Sequence, residues 1–195
     1  MAVELIPAVE LDGPQLSATE AIYRDAFPAE LRAPLDDLLA DDMLVLLVDG
    51  RPAGFAVTRR LGPTGWVFLR YFAVHDRGTG RGSAMWRLLC AYWADAGCTR
   101  ILLDVEDPDE TGIDADEQLI RQRRIVFYER LGAVLLPVRD YRPTQPGGHP
   151  HPLRLIAASW DGSEASVRDQ VLAVYRYRYG IGPDDPTVQQ ALRTF

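Results

Sequence analysis

Hydrophobic and polar positions alternate along the chain in patterns that predict strands and helices in a regular order. The segment "MLVLLVDGRPAGFAVTRRL" is typical of a hairpin whose turn is Asp49-Gly50. The segment "WVFLRYFAV", residues 66–74, predicts a further strand, and apolar residues at helical spacing after it predict a helix that ends near Ala96. We predict the other strands at 3–9, 99–106, 133–138 and 153–160, and the other helices at 15–26, 34–40, 117–130 and 164–178, followed by a proline-containing tail. This order indicates an α/β protein with a mixed, mostly antiparallel sheet flanked by helices.

Three glycines, Gly78, Gly80 and Gly82, lie between that strand and its helix, in "HDRGTGRGS". Glycine allows the backbone to approach a ligand closely. A turn that leads from a strand into the start of a helix points backbone N–H groups and the positive end of the helix dipole at an anion. The turn therefore predicts an anion site, and a phosphate is the simplest occupant.

Composition and charge exclude several classes of function. The net charge of −7 argues against a broad nucleic-acid surface. All 21 basic residues are arginine, so the lysine of a Walker-type phosphate loop and the Schiff-base lysine of pyridoxal phosphate enzymes are both lacking. No apolar run is long enough to cross a bilayer, and no secretion signal is visible, so we expect a cytoplasmic protein without membrane contact. The two cysteines, Cys90 and Cys98, are too few for a metal site, and we expect no metal.

The chain resembles the GNAT superfamily of acetyl-coenzyme A-dependent N-acetyltransferases over residues 1–160. Arg77, Gly80 and Gly82 match the phosphate-binding motif of that family, and "FYERLGA", residues 127–133, matches its second motif. The resemblance implies acetyl-coenzyme A as cosubstrate. It also implies a set of residues that contact the coenzyme: Phe72, Ala73, Val74, Arg77, Gly78, Thr79, Gly80, Arg81, Gly82 and Ser83. Residues 161–195 are predicted to form a helical extension that packs on the domain or lies at a dimer interface.

Acetyl transfer from a thioester to an amine requires a base for the amine proton and an acid for the leaving thiolate. The resemblance implies that Tyr128 is the acid. For the base we choose Glu106 first and Asp104 second, because both end one strand and point to the same face. A solvated acidic rim is the alternative for this pair, and it is the favoured interpretation of Asp104. Glu106 could also hold a cationic amine without accepting a proton.

Several arginines leave their roles open. Many family members carry a glutamate near the position of Arg70, which could pair with the acidic strand or bind a substrate carboxylate. Arg121, Arg123 and Arg124 could meet the coenzyme phosphates or an acidic substrate, and a solvated helix face is the favoured interpretation for at least one of them. We assign Arg124 to the coenzyme.

Three histidines and one tyrosine-rich segment complete the candidates. His75 could bond to the coenzyme, although a turn histidine is the favoured interpretation. His149 and His151 suggest a metal pair, but no carboxylate or cysteine has matching spacing, so loop residues are favoured. The segment "VYRYRYG", residues 174–180, could form a dimer contact or a lid, and an ordinary docked helix is slightly preferred.

We therefore predict an N-acetyltransferase that moves acetyl to a primary amine of a small molecule or peptide by direct attack in a ternary complex. Acidic residues near Glu106 favour a cationic acceptor. The alternative is a non-catalytic protein that binds acyl-coenzyme A as a sensor or assembly component. A third possibility is a nucleotide-binding module that uses the same glycine turn.

Overall fold

The computed structural model describes residues 2–29, 32–76, 78–144, 151–162 and 165–195. The strands are β1 (Val3–Pro7), β2 (Asp42–Val48), β3 (Arg51–Arg60), β4 (Trp66–Val74), β5 (Arg100–Glu106), β6 (Val134–Leu135) and β7 (Leu153–Ser159). The helices are α1 (Gly13–Ala26), α2 (Leu35–Leu39), α3 (Arg81–Asp95), α4 (Ala115–Glu129), α5 (Val167–Ala173) and α6 (Pro186–Leu192). A π-helical segment, Val174–Arg178, continues α5.

The seven strands form one mixed sheet in the order β1-β2-β3-β4-β5-β7-β6, flanked by helices. β1 pairs antiparallel with β2, β2 with β3, β5 with β7, and β6 with β7. The turn between β2 and β3 is Asp49-Gly50, and both residues have positive φ, as a type I′ hairpin turn requires. The predicted fold class is confirmed.

The first of two compact units comprises the chain up to Arg59 together with Leu69–Gly97. Its core contains an aromatic cluster in which the Tyr23 ring packs edge-on against Phe55 and Tyr71, with centroids 5.7 and 5.4 Å away. Asp12 begins α1 with a reciprocal capping box to Gln15, which satisfies two backbone donors that the first helical turn leaves free. Asp12 is therefore the residue that caps α1.

The second unit comprises Arg60–Phe68 and Cys98–Phe195. Its core combines inward-facing residues of β5 and β7 with apolar side chains of the C-terminal helices. The buried members include Leu102, Leu155, Val171, Val174, Tyr175 and Val188. The C-terminal helices thus share one hydrophobic core with the strands of this unit.

β6 is shorter than the predicted strand 133–138, because regular pairing ends after Leu135. The Leu136 N–H still donates to the carbonyl of Leu155 at 2.9 Å, but the next residue is Pro137, which has no N–H to donate. Leu136 and Val138 remain buried, so the apolar run reflects burial in the core and not a longer strand.

The C-terminal region differs most from the prediction. Ser166 caps α5, whose regular turns end at Ala173, and the π-helical segment occupies the end of the predicted single helix. α6 lies in the proline-containing tail, for which no separate helix was predicted. Asp185 caps it and Pro186 fills its first position, and this pair is a helix-start signal that sequence reasoning missed.

Candidate active site

The glycine turn leads from β4 into α3 as the pattern predicts. Gly78 and Gly80 both have φ of +82°, a backbone conformation that L-residues rarely adopt. A Cβ added to either glycine would meet no protein atom within 4 Å. The first N–H groups of α3 have no intrahelical acceptor, and Gly80 at the N-cap supplies no side chain to cap them. The turn therefore offers open space and backbone donors to an anion.

Hydrogen bonds and an ion pair around the turn fix its shape. The Thr79 hydroxyl donates to the Asp76 carbonyl at 2.8 Å, and the His75 N–H donates to the Ala53 carbonyl at 2.8 Å. The Asp76 carboxylate forms an ion pair with Arg81, the first residue of α3. Arg81, which we predict to bind the coenzyme, thus already has an internal carboxylate partner.

Other predicted coenzyme contacts lie on β4 and at the start of α3. Phe72 packs its ring against Trp86 of α3, with centroids 6.3 Å apart. Ala73 is buried and Val74 is half-buried, while Gly82 and Ser83 lie in the first turn of α3. Arg77 lies outside the described residues.

Gly54 on β3 is a structural residue that sequence reasoning missed. A Cβ at this position would lie 2.7 Å from the Ala73 carbonyl oxygen and 2.9 Å from a methyl carbon of Val74. The requirement for glycine therefore comes from close approach to the backbone of β4, in the stretch that we assign to pantetheine.

Arg70 of β4 has a structural partner. Its side chain is almost fully buried and forms an ion pair with Asp41, which also accepts a hydrogen bond from Arg59 Nε at 2.8 Å. Asp41 immediately precedes β2. Arg70 thus pairs with a carboxylate that the sequence analysis did not consider.

Glu106 and Arg124 lie in the second unit, at the end of β5 and in α4. They form an ion pair with each other, and both side chains are one-third to two-fifths exposed. The predicted base is therefore held by the arginine that we assign to the coenzyme.

Tyr128 occupies the inner face of α4 and is only 6% exposed. Burial raises the pKa of its hydroxyl well above the ordinary tyrosine value, and the positive charge of Arg124 opposes part of that shift. The hydroxyl stays protonated at neutral pH, as a general acid requires.

Asp104 contradicts the favoured interpretation of a solvated rim. Its Oδ2 accepts hydrogen bonds from the hydroxyls of Tyr141 at 3.0 Å and Tyr179 at 2.5 Å. Burial raises the pKa of this carboxyl, while the two tyrosine hydroxyls and the nearby Arg178 lower it in part. The tyrosines come from segments 37 and 75 residues away, so no local pattern could reveal this cluster.

The remaining candidates have structural surroundings. Arg121 is almost buried and bonds to Glu117, Glu110 and the Asp107 carbonyl, whereas Arg123 is exposed. The contacts of Arg121 connect α4 to the acidic segment after β5. Arg123 is the residue to which the interpretation of a solvated helix face applies.

Among the histidines, His151 lies 4.0 Å from Glu110, and His149 is outside the described residues. No group of three or more potential metal ligands occurs in the part of the chain that the structure describes.

Cys90 is packed against its surroundings in α3. Burial raises the pKa of its thiol from 9.0 to about 12, so the thiolate is scarce at neutral pH. A thiol of this kind is a poor nucleophile.

In the described parts of the chain, no helix has the length and apolar character that a bilayer crossing would need.

Comparison with known proteins identifies the family. The sequence model of the Acetyltransferase (GNAT) family matches residues 16–115, just over half of the chain. A search of curated proteins found no match.

Many solved structures share the fold. A putative GNAT-family acetyltransferase from Bacteroides thetaiotaomicron aligns with a TM-score of 0.69 at 21% identity, covering 93% of this chain and 99% of that one. A GNAT-family acetyltransferase from Elizabethkingia anophelis with acetyl-CoA bound aligns at 0.53 and 12% identity, covering 81% and 98%. Arabidopsis thaliana Naa50, in complex with a bisubstrate analogue, aligns at 0.58 and 16% identity, covering 82% and 100%. On its sequence match and its fold, this chain belongs to the GNAT acetyltransferase family, with acetyl-coenzyme A as cosubstrate.

Proposed function

We propose that the protein transfers acetyl from acetyl-coenzyme A to a primary amine of a small molecule or peptide, by direct attack in a ternary complex. The observation that carries the proposal is the glycine turn, where Gly78 and Gly80 leave open space beside the free N–H groups of α3. Pyrophosphate is the anion that such a helix start binds well.

The coenzyme would be held by three kinds of contact. Backbone N–H groups from Gly78 to Ser83 bind the pyrophosphate, and Arg77 and Arg81 add charge-assisted hydrogen bonds to phosphate oxygens. The backbone of residues 72–74 on β4 pairs with the pantetheine arm. In this scheme Arg81 exchanges its internal partner Asp76 for a phosphate, and such an exchange of partially exposed partners costs little.

The chemistry then requires two proton transfers. The amine nitrogen forms a bond to the thioester carbon as the C–S bond breaks. Glu106 takes the proton that the amine loses, and Tyr128 gives its proton to the departing thiolate. Burial keeps the Tyr128 proton in place throughout the neutral range but makes the hydroxyl a weaker acid, so the positive charge of Arg124, which lowers this pKa in part, favours the transfer. Glu106 must part from Arg124 to act, and the partial exposure of that pair makes the separation inexpensive.

Direct attack is supported over a covalent acetyl-enzyme. The thiol of Cys90 has a pKa of about 12, and Cys98 is buried. A peptide amine is a reasonable member of the acceptor class, because Naa50 was solved with the bisubstrate analogue CoA-Ac-MVNAL.

Thermal unfolding with acetyl-coenzyme A, and with adenosine diphosphate as control, tests the coenzyme site first. Ligand at about one hundred times its dissociation constant adds roughly 2.7 kcal/mol of stability, which raises the midpoint by several degrees. Absence of a shift specific to the acyl-coenzyme would overturn the proposal.

Release of free thiol with an amine panel tests turnover. We expect Tyr128→Phe and Glu106→Gln each to lower kcat by roughly 100-fold while the KM for acetyl-coenzyme A is unchanged. We expect Arg124→Gln to raise that KM, as the assignment of Arg124 to the coenzyme requires. Tyr177→Phe, a tyrosine outside the proposed machinery, is the matched control for Tyr128→Phe.

One observation favours the second candidate, a non-catalytic acyl-coenzyme A-binding protein. Arg70, near the place where many relatives carry a glutamate, forms an ion pair with Asp41, and a guanidinium cannot accept the amine proton. This alternative predicts the same thermal shift with acetyl-coenzyme A but no thiol release with any amine.

A further inference from the structure

The segment "VYRYRYG", residues 174–180, has no part in the function proposed above, and its backbone is unusual. Val174–Arg178 is π-helical, and the Tyr179 N–H donates to the Val174 carbonyl, five residues back, at 3.4 Å. π-helical turns are rare and occur frequently at functional sites. Here Arg178 and Tyr179 both contact strand residues of the second unit, namely Phe68 of β4 and Asp104 of β5.

The guanidinium of Arg178 is stacked on aromatic rings. Its central carbon lies 4.9 Å from the centroid of the Tyr179 ring and 5.7 Å from that of Phe68. Its Nε is buried without a hydrogen-bond partner in the described part of the chain. Arg121 and Arg154 in the same unit each face carboxylates within 4.0 Å, but no ion pair with Arg178 occurs among the described residues. A stacked guanidinium keeps its N–H edge available for a planar anion.

Asp104 is near Arg178 but is held apart from it. The Oδ2 of Asp104 accepts both tyrosine hydroxyls, from Tyr141 and Tyr179. The positive charge of Arg178 nevertheless lowers the pKa of Asp104, and the negative charge of Glu106 raises it. The guanidinium of Arg178 and the carboxylates of Asp104 and Glu106 therefore lie close enough to influence one another. Arg178 is held by the aromatic rings, and Asp104 is held by the tyrosine hydroxyls.

We propose that Arg178 binds a carboxylate of the acceptor, so that the acceptors of this enzyme are amines that also carry a carboxylate, such as free amino acids. Arg178 is the specificity-determining residue, and the carboxylates of Asp104 and Glu106 attract the ammonium group of the same molecule. A guanidinium binds a carboxylate with two parallel hydrogen bonds, which gives orientation as well as attraction. This assignment rests on the proposed acetyl transfer and names its substrate class.

Matched acceptors test the assignment. The thiol-release assay is run with each of the common amino acids and with the corresponding amino acid amide, which keeps the amine and removes the charge of the carboxylate. We expect the wild-type kcat/KM to favour the acid over its amide by at least about tenfold, as the loss of a charge-assisted hydrogen bond predicts. Arg178→Gln should abolish that preference by raising the KM for the acid, and Arg178→Lys should restore part of it.

Arg176→Gln is the matched control. Arg176 lies in the same π-helical segment, is exposed, and contacts the Tyr177 ring at 5.2 Å. It should retain the wild-type preference. Thermal midpoints of all variants show whether the fold is kept, and the ratio of acid to amide within one variant does not depend on the fraction of folded enzyme.

Three results would overturn the inference. The first is equal turnover of acids and amides, or turnover of neither, by the wild type. The second is a fall in kcat/KM in Arg178→Gln that is the same for an amino acid and for its amide. The third is a raised KM for acetyl-coenzyme A in that variant, which would assign Arg178 to a coenzyme phosphate. Thiol release with any other amine of the panel in the same preparation separates these failures from failure of the proposed function, because the non-catalytic alternative predicts a thermal shift with acetyl-coenzyme A but no thiol release.

Discussion

Two regions of this molecule, which we propose as binding sites for charged ligands, are built in opposite ways. The glycine turn of the first unit is built from backbone, and its two key residues, Gly78 and Gly80, have open space where side chains would be. The Asp104 cluster of the second unit is built from side chains, with the buried Tyr141 and the half-buried Tyr179 and Arg178 around one carboxylate.

The difference shows how the two kinds of site depend on their surroundings. Backbone donors at a helix start are positioned by local geometry, so a short motif carries the whole site. A buried carboxylate is tolerated only where hydrogen-bond donors and a cation surround it, and those groups come from distant parts of the chain. Substitutions in the first region should therefore affect ligand binding more than stability, and substitutions in the second should affect both.

The largest effect on stability should come from Gly62→Ala, next to the tyrosine-rich segment. Gly62 has φ of +55°, and a Cβ there would lie 2.4 Å from the Tyr177 ring. Backbone strain and overpacking together should lower the free energy of unfolding by about 2 to 5 kcal/mol, measured by urea denaturation.

Gly65→Ala is the control for that change. Gly65 ends the same short turn with φ of +74°, but its Cβ would meet nothing within 4 Å. It should lose only the strain contribution of about 1 to 2 kcal/mol. Equal losses in the two variants would mean that the Tyr177 contact contributes nothing.

Gly80→Ala should affect binding most. The methyl group and the distorted turn should weaken acetyl-coenzyme A binding by roughly 100-fold, which corresponds to one or two lost charge-assisted hydrogen bonds. Titration calorimetry measures the affinity. Gly97→Ala is the matched control, because Gly97 follows α3 with φ of +77° and a Cβ there would also meet nothing within 4 Å. If both variants bind the coenzyme equally well, the glycine turn is not the phosphate site.

Asp104→Asn should have a smaller effect, and one that depends on pH. The substitution weakens two hydrogen bonds and should cost about 1 to 2 kcal/mol of stability. The folded-state pKa of Asp104 is raised, so the stability it contributes is fully present below the ordinary aspartate pKa of about 4 and is lost as pH rises through the raised value. The free energy of unfolding of the wild type, measured by urea denaturation, should therefore exceed that of the variant by more near pH 4 than near pH 7.5. A difference that widens with rising pH would contradict the raised pKa.

The smallest effect should come from thiol modification. Because burial raises the pKa of Cys90 to about 12, iodoacetamide at pH 8 should label Cys90 only in trace amounts while the protein is folded, as read by mass spectrometry. Full labelling after denaturation in urea is the control. Rapid labelling of the folded protein would show that α3 opens readily or that its thiol is accessible.

The sequence by itself determined the elements whose signals are local. The turn dipeptide Asp49-Gly50, the strand 66–74 and the glycine turn after it all appear in the structure where their patterns place them. These features depend on backbone conformations that only certain residues adopt, so composition at a few consecutive positions is sufficient. The family could be predicted from the same local motifs, and the family model matches residues 16–115, which include the glycine turn.

Only the tertiary structure decided how distant side chains meet. It paired Glu106 with Arg124 and Arg70 with Asp41, and it buried Asp104 between two tyrosines that the sequence places far away. It also ended β6 early and turned the end of α5 into a π-helix. Ion pairs and buried hydrogen bonds depend on which surfaces pack together, and packing is decided by the whole core and not by neighbours along the chain.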